Sequence, residues 1–277
     1  MSAPINSSRP ALNLDYSSSS EILKHFVALT NKQLQQMDLN SGSSCKFNGS
    51  VLEVFLNPKE LSRRQQLRKI DSNLYIKCGL FLYLLKSIIK KHGFQCTIHT
   101  WPRFDEPNLL AFVHLDAFRT AAFVHNKQKA APDYADAGTF AEKLEAIAAK
   151  KGITLQSIKP GKQQQETALL LQQQPACCSY CKSNTFSSHW DDMIDGKTDG
   201  ILLIASARQN TPAVWTGLGL MLGKAIQVSS NSGFGLIPLN LHFCPTQFSQ
   251  PAKTLCPGEN LHLIAFLKEN SPILPAN

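Results

Sequence analysis

Apolar residues recur along this chain at two periods, about three to four residues in some stretches and two in others, and the alternation between the two lays out the elements. SSSSEILKHFVALTNKQLQQM places Ile22, Phe26 and Leu29 on one helical face, with Ser18 and Glu21 spaced as a capping box. SVLEVFL, residues 50 to 56, alternates as a strand and stops at Asn57-Pro58. Between Leu74 and His92 the apolar positions surround the helix, with Leu80, Leu84 and Ile88 on one stripe and Phe81, Leu85 and Ile89 on another. That pattern predicts a buried helix, capped by Asp71 or Ser72 and closed by Lys86, Lys90, Lys91 and His92 before a left-handed Gly93. FQCTIHTW and NLLAFVHLD follow as two strands.

The second part repeats this order. TFAEKLEAIAAKKG, residues 139 to 152, predicts a helix with a capping box at Thr139 and Glu142, ending on Gly152, and GKQQQETALLLQQQP, residues 161 to 175, predicts one stopped by Pro175. DGILLIAS is a strand, and Thr211-Pro212 is the cap and first turn of the next helix. GFGLIPL and NLHLIAFL are again extended. The two long helices also share words. Gly79-Leu80, Leu82, Leu84, Lys86 and Ile88 match Gly217-Leu218, Leu220, Leu222, Lys224 and Ile226 at equal intervals. Both runs close on Gly-Phe, at Gly93-Phe94 and, after a two-residue insertion, at Gly233-Phe234, which points to an internal duplication. The expected architecture is an α+β fold of two related halves, a pseudo-dimer in which each half has a mixed or antiparallel sheet and a long buried helix. Residues 1–16 form a Ser/Pro/Asn-rich arm, 17–125 the first half and 126–277 the second.

Composition narrows the partners. A chain of 277 residues with 43% hydrophobic content can bury a core without staples, and its longest apolar stretch is broken by Lys77 and Lys86, so neither a leader nor a membrane span is expected. Eight scattered cysteines read as reduced cytoplasmic thiols rather than a disulfide framework. The net charge of +8 favours anionic ligands, but the basic residues are dispersed, so a nucleic-acid partner is not expected.

Candidate chemistry is sparse. Gly217, Gly219, Gly223, Gly233 and Gly235 make neither a dinucleotide fingerprint nor a phosphate loop. The first three are expected to let the central helices approach closely, whereas Gly233 and Gly235 either meet a ligand or simply turn the chain. His125 and Lys127, with Lys129, gather donors for a phosphate, and Arg63 and Arg64 are a second cationic pair. Cys177, Cys178 and Cys181 beside His189 fall short of a zinc set; a dithiol couple between Cys178 and Cys181 is an equally weak reading, and a loop of unspecialised thiols is the plain one. Asp191, Asp192 and Asp195 read as a solvated turn. No metal ligand set is assigned.

SRR at 62 to 64, the Lys-Cys-Gly-Leu opening of the buried helix, HGFQCTIHTWPRFDEPNLLAFVHLD, HNKQ at 125 to 128 and SGFGLIPLN at 232 to 240 together resemble the nitroreductase-like flavoprotein superfamily, in its internally duplicated, Acg-type branch. The resemblance implies FMN held where two halves meet, with NAD(P)H as electron donor to a small-molecule substrate, in a monomeric pseudo-dimer or a homodimer. The residues it assigns to the cofactor are Ser41, Ser43, Arg63, Arg64, His125, Asn126, Lys127, Gly233, Phe234 and Gly235, with no catalytic side chain. Trp101 and Trp215 fall either in the core or beside the flavin. Two departures stand out. Ser41, Ser43 and Cys45 occupy places where the family has Asn, Gln and Trp, and His125-Asn126-Lys127-Gln128 replaces a Thr-Asn-Arg-Arg word. An FMN-dependent NAD(P)H oxidoreductase is therefore expected, with a catalytically inactive protein that binds or sequesters flavin as the alternative.

Overall fold

Two strands flanking Gly49-Ser50 open the first sheet. β1 (Ser43–Asn48) and β2 (Val51–Leu56) pair antiparallel from Ser43↔Leu56 to Asn48↔Val51, and Gly49 takes φ +58° at the turn. A left-handed glycine at the first of two loop positions is what a type II′ hairpin requires. The computed structural model describes residues 19–37, 39–57, 72–101, 106, 108–116, 136–172, 188–239 and 249–269. Around this hairpin the first half runs α1 (Ser19–Gln36), β1, β2, α2 (Ser72–Lys91), β3 (Cys96–Thr100) and β4 (Leu109–Leu115), and its sheet has the antiparallel order β1-β2-β4-β3. Ser43 and Cys45, two of the departures from the family pattern, lie in β1, a strand that the periodicity did not show. Its signal is the Gly49-Ser50 turn ahead of the alternating β2.

The second half runs α3 (Ala137–Ala149), β5 (Thr154–Ile158), α4 (Lys162–Gln172), α5 (Ser188–Ile194), β6 (Ile201–Ala207), α6 (Pro212–Asn231), β7 (Phe234–Pro238), α7 (Ser249–Leu255) and β8 (Asn260–Glu269). Its sheet is also antiparallel, in the matching order β5-β6-β8-β7. The described residues are thus a mixed α+β structure of two four-stranded antiparallel sheets and seven helices. Thr211 caps α6, accepting from the Val214 amide, with Pro212 in the first turn as its sequence indicates. The cap of α3 differs from expectation. Asp136, not Thr139, takes that role: its carboxylate accepts the Thr139 amide at 2.8 Å, because an Asp three residues earlier presents an ionised acceptor to the unsatisfied first turn. Asp191 and Asp192, expected in a turn, lie exposed on the short helix α5.

The centre of the molecule is the contact between α2 and α6. Each has 20 residues. Tyr75 meets Trp215, Gly79 meets Gly219, and Tyr83 and Ser87 both hydrogen-bond Gln227, so residue numbers rise together and the helices run parallel. Contact is backbone to backbone at the glycines. A methyl group on Gly219 would stand 2.8 Å from both Gly79 Cα and Leu80 N, and one on Gly79 would stand 3.0 Å from Gly219 Cα. Tyr83 fills the space that Gly223 leaves open, whereas Gly217 faces nothing within 4 Å. Gly217 is therefore not one of the close-approach glycines, and Gly79 is. The matching of the two runs shifts accordingly. Both ends of the helices differ by 140 residues (72 to 212, 91 to 231), as do Gly93 and Gly233, whose φ values are +84° and +81°. No two-residue insertion separates them.

One buried cluster extends from Ile22 in α1 through α2, α3 and α6 to Leu267 in β8, so both halves share a core. A second cluster lies on the far side of the second sheet, where Ala168 and Leu171 of α4 and Met193 of α5 cover Leu202, Ile204, Ile264 and Phe266. Among the described residues, α2 alone is long and apolar enough to cross a membrane, and most of it is buried inside the protein. The arm at 1–16 and the boundary at residue 125 lie outside the described residues.

Candidate functional site

The expected cofactor residues fall into two groups at opposite ends of the central helices. Gly42, at φ +60°, packs on Leu74 and Lys77 near the start of α2, and its neighbours bond to each other: the Ser43 amide donates to Ser41 Oγ at 3.3 Å. Gly233 terminates α6, Phe234 is buried and stacks on Phe140 with centroids 5.2 Å apart, and Gly235 pairs with Lys268 inside the sheet. Because α2 and α6 run side by side, these groups are separated by roughly 24 Å of helix at 1.5 Å per residue. The structure does not bring them together. Arg63, Arg64, His125, Asn126 and Lys127 lie outside the described residues, as do Cys177, Cys178 and Cys181.

What does converge, at the Ser41–Ser43 end, is a chain of rings crossing from one half to the other. Trp101 stacks on Tyr75 at 5.9 Å, Tyr75 meets Trp215 at 5.3 Å, and Trp215 meets His262 at 6.4 Å. Trp215 Nε1 donates to Asn210 Oδ1 at 3.0 Å, which fixes the indole against the loop leading into α6. Trp101 adopts φ +55°, a backbone region that bulky residues occupy only when their surroundings hold them there. His262 is 3% exposed, and burial pushes its imidazole down to about 4, partly opposed by a hydrogen bond to the Gln209 backbone. The ring is therefore neutral at neutral pH. Burial pushes the Cys45 thiol up to about 12 and raises Cys78 as well, so these neighbouring cysteines are protonated and poor nucleophiles. Lys77 is 3% exposed beside them.

An open groove of about 950 Å³ adjoins this chain of rings through Gln209 and Val214. Ile153, Leu155, Ala207 and Val214 supply apolar wall, and exposed Lys151 and Arg208 supply positive charge. Two of its carboxylates are already engaged. Glu145 accepts the Ser157 amide at 2.9 Å, and Glu259 accepts the Thr154 hydroxyl at 3.0 Å and the Ser206 hydroxyl at 2.6 Å. The Asn260 side chain donates to the Arg208 carbonyl at 3.1 Å, which pins the rim where the guanidinium emerges. A separate apolar cavity between Leu144, Met221 and Leu236 holds about 30 Å³, too small for an organic ligand.

Chemically, the groove offers apolar surface, two cations and three carboxylates, a mixed lining for a ring system that carries both hydroxyl groups and an anionic tail. Among the described residues no three His, Cys, Asp or Glu side chains are grouped to hold a metal. Sequence reasoning located Trp101 and Trp215 but missed Tyr75, Lys151, Arg208 and His262. These come from four different elements and connections, and no local spacing links them. No protein-family model matches the chain, and no curated protein matches it either.

Proposed function

We propose that this chain is a flavin-binding protein with the two-part organisation of the nitroreductase-like superfamily, and that it holds FMN in the groove beside the Trp101–Tyr75–Trp215–His262 chain without turning it over. The observation that carries this reading is the adjacency, through Gln209 and Val214, of a groove of about 950 Å³ in the second half to that aromatic chain. The apolar wall suits an isoalloxazine ring and Lys151 and Arg208 suit its phosphate, while Glu142, Glu145 and Glu259 can accept ribityl hydroxyls. FMN, when bound, would supply hydride-transfer chemistry, and the chain's own residues would hold and orient it in the open groove. Inactivity is supported by Ser41 and Ser43, which the resemblance sets against longer family side chains and which bond to each other, while the groove is lined by neither of them. The two halves, with equal strand order and central helices of equal length, support descent from a duplicated unit.

Titration of FMN with the full chain, followed by flavin fluorescence, tests the reading. Quenching that saturates, and that weakens about tenfold in Arg208→Glu through loss of a charge-assisted contact, is expected. Flavin that keeps its free fluorescence throughout overturns it. The oxidoreductase reading is favoured by one feature, the groove's size. It stands near the top of the roughly 300–1,000 Å³ range of small-molecule sites, enough to admit a nicotinamide ring over a bound flavin. NADH or NADPH oxidation by the FMN-loaded chain selects it over the inactive one.

A further inference from the structure

The outward face of the first sheet carries a second set of chemistry-bearing side chains, remote from the groove. β3 and β4 pair with Thr97 opposite His114 and His99 opposite Phe112, so His99 and His114 lie diagonally across one antiparallel pair. Their ring centroids are 5.6 Å apart at 83°. Phe112 contacts His114 from the other side at 6.2 Å. His99 is exposed and His114 half-buried, so water and ions reach both. Beside them the Thr97 hydroxyl lies 3.4 Å from an Asp116 carboxylate oxygen, which adds negative charge to the same patch. The second sheet provides the contrast. Ile237 stands opposite Phe266 as Thr97 stands opposite His114, so Leu239 and Phe266 are the matching diagonal pair, and both are buried in the outer cluster.

We infer that His99 and His114 form an open two-imidazole chelate for a divalent transition ion of borderline softness, Ni²⁺ or Zn²⁺ in class. Two imidazoles sharing one ion at about 2.1 Å per nitrogen set their ring centres roughly 5 Å apart, so the observed separation closes by rotation of the exposed His99 side chain alone. Pairing along five consecutive residue pairs holds the two strands in register, so the ion need not organise the backbone. No cluster of three ligands stands among the described residues, so water completes the coordination and the ion exchanges readily. The eight histidines show no ligand spacing in the sequence; strand pairing alone brings positions 99 and 114 together.

Isothermal titration with Ni²⁺ of an untagged, thiol-reduced full chain carrying Cys177→Ser, Cys178→Ser and Cys181→Ser, which removes competing thiolate ligands, tests the site. One ion per chain is expected, with affinity falling about tenfold or more in His99→Ala and again in His114→Ala, as loss of one of two imidazole ligands requires. A His92→Ala chain, altered at the other histidine contact, which pairs with His25 at 6.5 Å, is expected to bind as the parent does. Far-UV circular dichroism confirms that each variant is folded. Absence of binding by the parent chain, or binding that survives in both His99→Ala and His114→Ala, overturns the inference.

Discussion

The two sheets share strand order and pairing but treat their outer faces differently, and the difference is written in their strands. In β2, Leu52, Val54 and Leu56 are buried while Val51, Glu53 and Phe55 are only partly so, the alternation of a sheet with one face toward solvent. In β6 all seven residues of Ile201–Ala207 are buried. The cause lies between the strands. A two-residue turn joins β1 to β2, whereas α4 and α5 intervene between β5 and β6, and α7 between β7 and β8. Covering the second face turns solvent positions into core, so β6 reads as a continuous apolar run. The first sheet keeps His99, His114 and Thr97 where the second keeps apolar side chains. The same framework thus yields one half with a polar outer face and one half with a second core.

The sharpest way to break this comparison is to separate the halves at their shared centre. Gly219→Val places a side chain into Gly79 Cα and the Leu80 amide, backbone that cannot yield, and should cost about 5 kcal/mol or more in urea denaturation. Gly217→Ala, two residues away and facing open space, should instead stabilise by up to about 1 kcal/mol through helix propensity. Next in size, Phe266→Ala in the covered face should cost about 3 to 5 kcal/mol by leaving a cavity, whereas His114→Ala at the matching open position should cost under about 1 kcal/mol.

A titration sharpens the same contrast. His262 is held neutral by burial, its folded value lowered to about 4 from an ordinary 6.5. Above pH 6.5 it costs nothing. As pH falls from 6.5 toward 4 the unfolded chain gains a proton that the folded chain refuses, so stability declines by roughly 3 kcal/mol at about 1.4 kcal/mol per pH unit. Urea midpoints measured across this window should fall less steeply in His262→Gln than in the parent. The smallest effect belongs to the polar latch across the seam. Tyr83→Phe removes the 2.6 Å bond to Gln227 at an exposed edge and should cost about 0.5 to 1 kcal/mol.

Most elements were legible in the chain because each carries a local cause. The Thr211-Pro212 cap, the all-round apolarity of Ile76 to Ile89 and the left-handed Gly93 and Gly233 act within one turn of themselves. β1, β5, α5 and α7 were not, since SSCKFN, TLQSI, SHWDDMI and SQPAKTL are too short and too polar to show a period. The site was legible only in fragments. Trp101 and Trp215 drew notice as large aromatics, but Tyr75 sits in a helix as one more partly buried position, and His262 lies in an apolar strand.

By itself the sequence determined the two long buried helices, most of the strands and the α+β class, because periodicity, caps and turn residues depend on neighbours a few positions away. Only the tertiary structure decided that α2 and α6 lie parallel with Gly79 on Gly219, and that Ser41 and Gly233 stand at opposite ends. It also decided that Trp101, Tyr75, Trp215 and His262 form one chain, and that His99 faces His114. Each of these joins residues through strand register or helix packing, which depend on how surfaces fit across the core rather than on any spacing along the chain.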